Sequence, residues 1–187
     1  MNLTEILQQH YLEPHTDKNT THCYVDEFYE DAFFPYKEKS IALLELGISC
    51  GASLVLWREY FKNAKFIAGI DNRPEVVLSQ FKNLDGISYF YEDAYDSEIK
   101  KKLPKLNIII DDCSHHLEDQ LKALEIYYPL LIKGGLYVVE DIQQQLYPDA
   151  REQLINKVQT LTHSSYQWLD LRHIKDRPDD TLLVIRK

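Results

Sequence analysis

The run Asp111-Asp112-Cys113-Ser114-His115-His116, followed by Gly134-Gly135 and then Glu140-Asp141, holds the densest chemistry in this 187-residue chain. Each acidic pair comes directly after a short apolar run, Asn107 to Ile110 before the first and Leu136 to Val139 before the second. Runs of that length read as buried strands. In an open parallel sheet, ligands sit outside the carboxyl ends of the strands. Clustered carboxylates are hard oxygen donors that suit magnesium or manganese and not zinc. A cation held there can lower the pKa of a hydroxyl and orient it, while a neighbouring imidazole takes the proton. Asp111, Asp112 and Ser114 are also the residue types that cap a following helix. Spacing alone therefore leaves open which aspartate meets a ligand.

A second constellation lies upstream. Glu45-Leu46-Gly47-Ile48-Ser49-Cys50-Gly51-Ala52-Ser53 stands at a strand-to-helix turn. Its glycines let backbone pass close to a ligand, and the helix amides beyond attract anionic groups. The spacing is E-x-G-x-x-x-G, which does not match the G-x-G-x-x-G of nicotinamide dinucleotide binders. Asp71-Asn72 ends the next apolar run, 26 positions after Glu45, where an acid can accept hydrogen bonds from ribose hydroxyls. Asp93 ends the third and could face an adenine amino group. Each acid alone reads equally well as a cap or a solvated side chain. Three successive strand ends together favour a nucleoside-type cofactor, with Glu45, Gly47, Gly51, Ser53, Asp71, Asn72, Asp93 and Asp111 as candidate contacts.

These residues need a frame. Apolar runs at Ile41–Leu46, Phe66–Ile70, Ile87–Tyr91, Leu106–Ile110, Leu136–Val139, Tyr166–Arg172 and Thr181–Ile185 predict strands. Between them, helices are expected near Ser53–Phe61, Pro74–Phe81, Ser97–Lys102, Leu117–Ile132 and Asp149–Leu161. The fourth carries one apolar stripe of Leu117, Leu121, Leu124, Tyr128 and Leu131. Gly134-Gly135 is read as the end of that helix. Alternation of strand and helix predicts an α/β fold with a parallel sheet. The last two strands are joined by a short segment around Asp176 to Asp180 and pair as an antiparallel hairpin. Before Ser40, two helices, Leu3–Tyr11 and Val25–Phe34, flank a polar loop from Thr16 to His22. They read as a cap on the sheet, so the chain is expected to form one domain with residues 1–39 as cap and 40–187 as sheet.

Composition narrows the partners. The formal charge of -9 argues against a long nucleic-acid contact. The basic run Lys100-Lys101-Lys102 with Lys105 reads as a solvated helix end. Cys23, Cys50 and Cys113 have no metal-type spacing and form no disulfide framework, which favours a reducing, cytoplasmic setting. No apolar run approaches membrane-spanning length, and Met1 to His10 lacks a signal-peptide pattern. A small-molecule partner is expected, and a homo-oligomer is left open. His116, His10, His163 and His173 read as surface or packing residues. His22 is a candidate for lining the site, and Trp57, Phe61 and Cys50 read as core.

Glycine turn, acid, acid and terminal hairpin together resemble class I S-adenosylmethionine-dependent methyltransferases. Two further stretches narrow the resemblance. They are Thr16-Asp17-Lys18 with His22 and Tyr24, and Leu44-Glu45-Leu46-Gly47 running to Ser53-Leu54 and Trp57. With Asp111-Asp112-Cys113-Ser114-His115 and Gly134-Gly135-Leu136-Tyr137-Val138-Val139-Glu140-Asp141, they resemble the macrocin/mycinamicin type of sugar O-methyltransferase. The likeness covers most of Thr16 to Asp141. It implies a Rossmann-like seven-stranded sheet of five parallel units plus a hairpin, S-adenosylmethionine as cofactor, and Mg2+ or Mn2+. It implies Asp112, Glu140 and Asp141 as metal ligands and His115 as catalytic base. The acceptor would be a sugar or a similar polyhydroxyl compound. Cys113 stands where that family has glycine, and a counterpart of the large auxiliary domain of the macrolide enzymes is not expected from these 187 residues. Two alternatives carry over: a methyltransferase with another acceptor, and a non-catalytic S-adenosylmethionine-binding protein. Amino methylation of nucleic acid is disfavoured, because no Asn/Asp-Pro-Pro-aromatic motif ends the fourth strand.

Overall fold

The computed structural model describes residues 1–9, 16–73, 85–162 and 164–187. The expected helix Pro74–Phe81 and the histidines His10 and His163 lie outside the described residues. The strands are β1 Ala42–Leu46, β2 Phe66–Asp71, β3 Ile87–Tyr91, β4 Leu106–Asp111, β5 Leu131–Val139, β6 Ser165–Asp170 and β7 Thr181–Arg186. They form one sheet in the order β3-β2-β1-β4-β5-β7-β6. The first five are parallel, and β7 runs antiparallel to both β5 and β6. This is the seven-stranded layout expected from the sequence. Strand order reverses between β1 and β4, the switch point at which such sheets open a crevice.

Side chains alternate between the two sheet faces, and each face has its own core. Leu43, Ile67, Ile108, Ile110, Leu136 and Val184 pack against α1 (Leu3–Gln9), α4 (Ala52–Tyr60) and the segment from Val25 to Tyr36. Leu44, Ala68, Ile109, Tyr137, Val139 and Leu183 pack against α5 (Leu117–Tyr127) and α6 (Ala150–Leu161). The N-terminal helices thus share a core with the strands. That segment is less regular than one helix. A π-helical turn, Val25–Tyr29, leads into α3 (Glu30–Phe33) and a 3-10 turn, Phe34–Tyr36.

Three local expectations are corrected. The helix expected to reach Ile132 stops at Tyr127 and tightens into a 3-10 turn over Tyr128–Leu130, because Pro129 has no N–H to donate and its ring clashes with the helical carbonyl four residues back. Gly134-Gly135 does not end a helix. It lies inside β5, where Gly134 is left-handed at φ 76° and the register with β4 shifts. The loop from Thr16 to His22 contains a short helix, α2 (Asp17–Thr20), whose Lys18 is buried. A last short helix, α7 (Arg172–Lys175), sits between β6 and β7. Among the described residues, no helix is long and apolar enough to cross a membrane.

Candidate active site

The site is built at the carboxyl ends of β1, β2, β4 and β5. Gly47 leaves β1 with φ 73°, and its amide donates to Ile70 O on β2. A methyl group at Gly47 would stand 2.2 Å from Asp112 O and 2.8 Å from Cys113 Cα. The glycine therefore lets the β1 turn and the β4 turn touch. Gly51 (φ 80°) precedes the first turn of α4. Asp71 fixes the same turn. Its Oδ2 accepts from the Ile48 amide at 3.1 Å and the Ser49 amide at 3.0 Å, and its Oδ1 accepts from the Arg73 amide at 2.9 Å. Although burial opposes its charge, hydrogen bonds from Arg73 and the turn hold this carboxyl below the usual value.

A cavity of about 340 Å3 opens here, lined by Gly47, Asp71, Asn72, Asp93, Tyr95 and the segment from Asp112 to His115. A narrower one of about 40 Å3 adjoins it through Gly47 and Asp112 and is lined by Thr16, Lys18 and Ser53 among others. Of the cofactor contacts expected from sequence, Gly47, Asp71, Asn72, Asp93 and Ser53 line one or both. Glu45 stands behind the narrower cavity, fully buried, with Oε2 accepting from Trp57 Nε1 at 2.8 Å. Asp111 lines neither cavity. Strand alternation turns it to the α5 face, fully buried, and burial pushes its carboxyl well above the carboxylate range.

The second half of the site is acidic. Asp112, His115 and Asp141 each offer a ligand atom, and the three atoms lie within 4.8 Å of one another. His115 Nε2 is 3.9 Å from Asp141 Oδ2. The convergence does not come from helical spacing, since α5 starts only at Leu117. It comes from backbone forced left-handed at Ser114 (φ 48°), His115 (φ 57°) and Asp141 (φ 52°). Non-glycine residues in that region cost of order 1 kcal/mol or more and cluster where function holds them. Cys113 is not left-handed, so cysteine meets no backbone barrier where the related motif has glycine. His116 points away and bonds Tyr147 Oη through Nδ1 at 2.8 Å.

Glu140 faces inward. Its Oε2 lies 2.5 Å from Lys18 Nζ, and its Oε1 accepts from the Tyr29 hydroxyl. The Tyr24 hydroxyl donates to Asp141 Oδ1. His22 Nδ1 bonds Asp180 Oδ1 at 2.5 Å and stands 3.6 Å from Asp141. Burial pushes the Glu140 carboxyl up, against the pull of Lys18. Burial first, and then Asp112, pushes Asp141 up to about 6. One ammonium does not balance Glu45, Asp112, Glu140 and Asp141, and the surplus oxygen donors fit a divalent cation. Glu140 reaches such a cation only by sharing an oxygen with Lys18 or Tyr29. Lys18, Tyr24, Tyr29 and Asp180 were not assigned from sequence. The one signal was the stretch from Thr16 to Tyr24, which carried a resemblance but no role.

No protein-family model matches the chain. Over 140 residues it is 27% identical to the 8-demethyl-8-alpha-L-rhamnosyl tetracenomycin-C 2'-O-methyltransferase of Streptomyces olivaceus, covering 71% of this chain and 36% of that protein. It is 26% identical over 155 residues to the mycinamicin VI 2''-O-methyltransferase of Micromonospora griseorubida, covering 74% and 33%. The chain thus spans about a third of the length of these relatives. Among solved structures, the methyltransferase MycE of the mycinamycin biosynthetic pathway, in complex with Mg, SAH and mycinamycin VI, superposes with a TM-score of 0.75 at 18% identity. The match covers all of this chain and 54% of MycE. An Aeropyrum pernix fibrillarin with natively bound S-adenosyl-L-methionine gives 0.64 at 16% identity, covering 81% and 68%. The chain has the S-adenosylmethionine methyltransferase fold, and its sequence is similar to sugar O-methyltransferases, as the motifs implied.

Proposed function

We propose that the protein is an S-adenosylmethionine-dependent, divalent-metal-assisted O-methyltransferase acting on a hydroxyl of a sugar or similar small polyhydroxyl acceptor. The observation that carries this reading is the meeting of Asp112, His115 and Asp141 at the rim of the cavity lined by Gly47, Asp71 and Asp93. The cavity would take the nucleoside, with Asp71 and Asn72 beside the ribose and Asp93 beside the base. Asp112 lines both cavities, at the point where a methyl group would meet its acceptor. Asp112 and Asp141 would hold magnesium or manganese, with Glu140 behind them. When bound, the cation lowers the pKa of the acceptor hydroxyl and fixes its direction. His115 Nε2 takes the hydroxyl proton. Bound S-adenosylmethionine would supply the methyl carbon, its sulfonium sulfur keeping the electron pair of the carbon–sulfur bond and leaving as the thioether, while the residues at the rim would hold the acceptor oxygen in line with it. His115 is about a third exposed, as a base that must meet an incoming acceptor has to be.

A non-catalytic binding protein of the same fold would have no use for a left-handed His115 aimed at Asp141. The negative charge and three free thiols agree with a small-molecule acceptor in the cytoplasm. Calorimetry of S-adenosylmethionine binding, with and without magnesium, tests the reading. Micromolar-to-millimolar binding and a separate magnesium isotherm are expected. Absence of any cofactor heat at millimolar concentration would overturn it.

A further inference from the structure

The acidic cluster already contains a cation that belongs to the protein. Lys18 Nζ lies 2.6 Å from Asp112 Oδ2, 2.5 Å from Glu140 Oε2 and 3.2 Å from Glu45 Oε1. The side chain is 1% exposed. The ammonium donates hydrogen bonds to Asp112 Oδ2 and Glu140 Oε2, and Glu45 Oε1 stands beside it as an ion-pair partner. The partners come from the ends of β4, β5 and β1, so one side chain on α2 ties three strand ends together. Arginine could not replace it, because a planar fork does not fit a point enclosed on three sides. Three carboxylates around one buried nitrogen supply the opposite charge that an ammonium needs at that depth.

This arrangement divides the cluster in two. Glu45 Oε1 and Glu140 Oε2 both face Nζ, and no second cation can share that volume. Asp112 belongs to both halves, with Oδ2 on Lys18 and its carboxylate also in the group with His115 and Asp141. We propose that Lys18 is a resident cation that fills the inner half of the cluster, lets the site fold without metal, and confines a divalent cation to the outer half beside His115. The proposal rests on the metal-assisted reading above and adds a positioning residue to it. Lys18 touches neither the base nor, on this geometry, the acceptor. It acts through Asp112 and Glu140. Its removal would leave two deeply buried carboxylates facing an empty, ammonium-sized space.

Lys18→Met keeps the apolar stem and removes only the charge. Chelator-stripped protein is melted with and without Mn2+, and bound Mn2+ is counted by the loss of its free paramagnetic resonance signal. Wild type should bind one Mn2+ and melt cooperatively without metal. Stripped Lys18→Met should melt about 10 °C lower, the usual consequence of unpairing buried charges in a domain of this size. Mn2+ should restore most of that loss, with two ions bound. Lys18→Met with Glu45→Gln should recover part of the metal-free melting temperature and take one ion. That double variant carries the test if the single one does not fold. A metal-free Lys18→Met that melts like wild type overturns the proposal. So does one that melts lower, still binds one ion and gains no more from Mn2+ than wild type does. Failure of wild type to bind Mn2+ would overturn the metal reading instead. The comparison of the two metal-free variants would then still decide whether Lys18 neutralises the cluster.

Discussion

Asp71 gives the sharpest quantitative expectation, because it has two separable tasks. Its carboxylate holds the Ile48 and Ser49 amides of the glycine turn and would also receive the ribose. Asp71→Ala leaves the buried Ile48 amide without an acceptor. A hydrogen bond to a charged group contributes about 1.5–3 kcal/mol, and water cannot replace it at a buried donor. Ser49 is exposed, so its amide recovers part of the loss from solvent. The ion pair with Arg73 adds little, since that guanidinium is 56% exposed. The expected cost is about 2–4 kcal/mol in urea unfolding with an unchanged m-value, or roughly 5–15 °C in melting temperature. Cofactor affinity should fall by a further 1–3 kcal/mol or so, from unpaired ribose hydroxyls. The folded-state pKa of Asp71 lies below its unfolded value of about 3.9, so its contribution is complete above that pH and is lost as pH falls through the folded value. Asp71→Ala should therefore flatten the acid limb of the stability curve. A variant within 0.5 kcal/mol of wild type, the usual range for inert surface changes, would refute the claim that this carboxylate pins the turn. Lost stability with intact cofactor affinity would leave Asp71 a structural pin only.

Other expectations follow from the same geometry. His115→Ala should lower kcat by roughly 10²–10⁴-fold in a methyl-transfer assay, with cofactor affinity unchanged by calorimetry. His116→Ala, whose ring bonds Tyr147, should be nearly silent, and the reverse pattern would move the base by one residue. Asp141, pushed up to about 6, opposes folding once ionised; the penalty is absent below about pH 4 and complete above about pH 6. Metal-free protein should gain stability from this group as pH falls from 7 to 5, and Asp141→Asn should abolish that gain. Magnesium affinity should move the opposite way and weaken below pH 6, because the cation competes with that proton. Gly47→Ala should abolish cofactor binding and lower the melting temperature, since its methyl would strike the Asp112 carbonyl.

The sheet was legible because its strands are short apolar runs between amphipathic ones, and β3 matches its expected bounds of Ile87–Tyr91. Errors came where one residue overrode a pattern. Pro129 cut the apolar stripe of α5, and Gly134, read as a stop, is a kink inside a strand. In the site, the acids announced themselves by standing at strand ends. Their partners did not. Lys18 sits among polar neighbours and reads as solvated, yet it is buried because its counter-charges lie 94 and 122 residues further along. Tyr24 and Tyr29 look like ordinary core aromatics until their hydroxyls are seen on Asp141 and Glu140. The resemblance implied Asp112 and His115 together, but the cause of their meeting was not readable, since left-handed backbone at Ser114 and His115 leaves no mark in residue type.

Among the described residues, the side chains that donate to the Glu140 and Asp141 carboxylates, Lys18, Tyr24 and Tyr29, come from the first thirty residues, and the two acids follow a strand completed much later. These contacts have a very high sequence separation, which makes them costly in loop-closure entropy and slow to form. During synthesis, Lys18, His22, Tyr24 and Tyr29 emerge long before Glu140, Asp141 and Asp180 exist. A folding intermediate with β1 to β4 paired would carry an uncompensated acid pair at its growing edge as soon as β5 docked. Closure of the N-terminal segment over those acids would then be the last step, and the catalytic arrangement would mature only in chains that had finished the whole sheet.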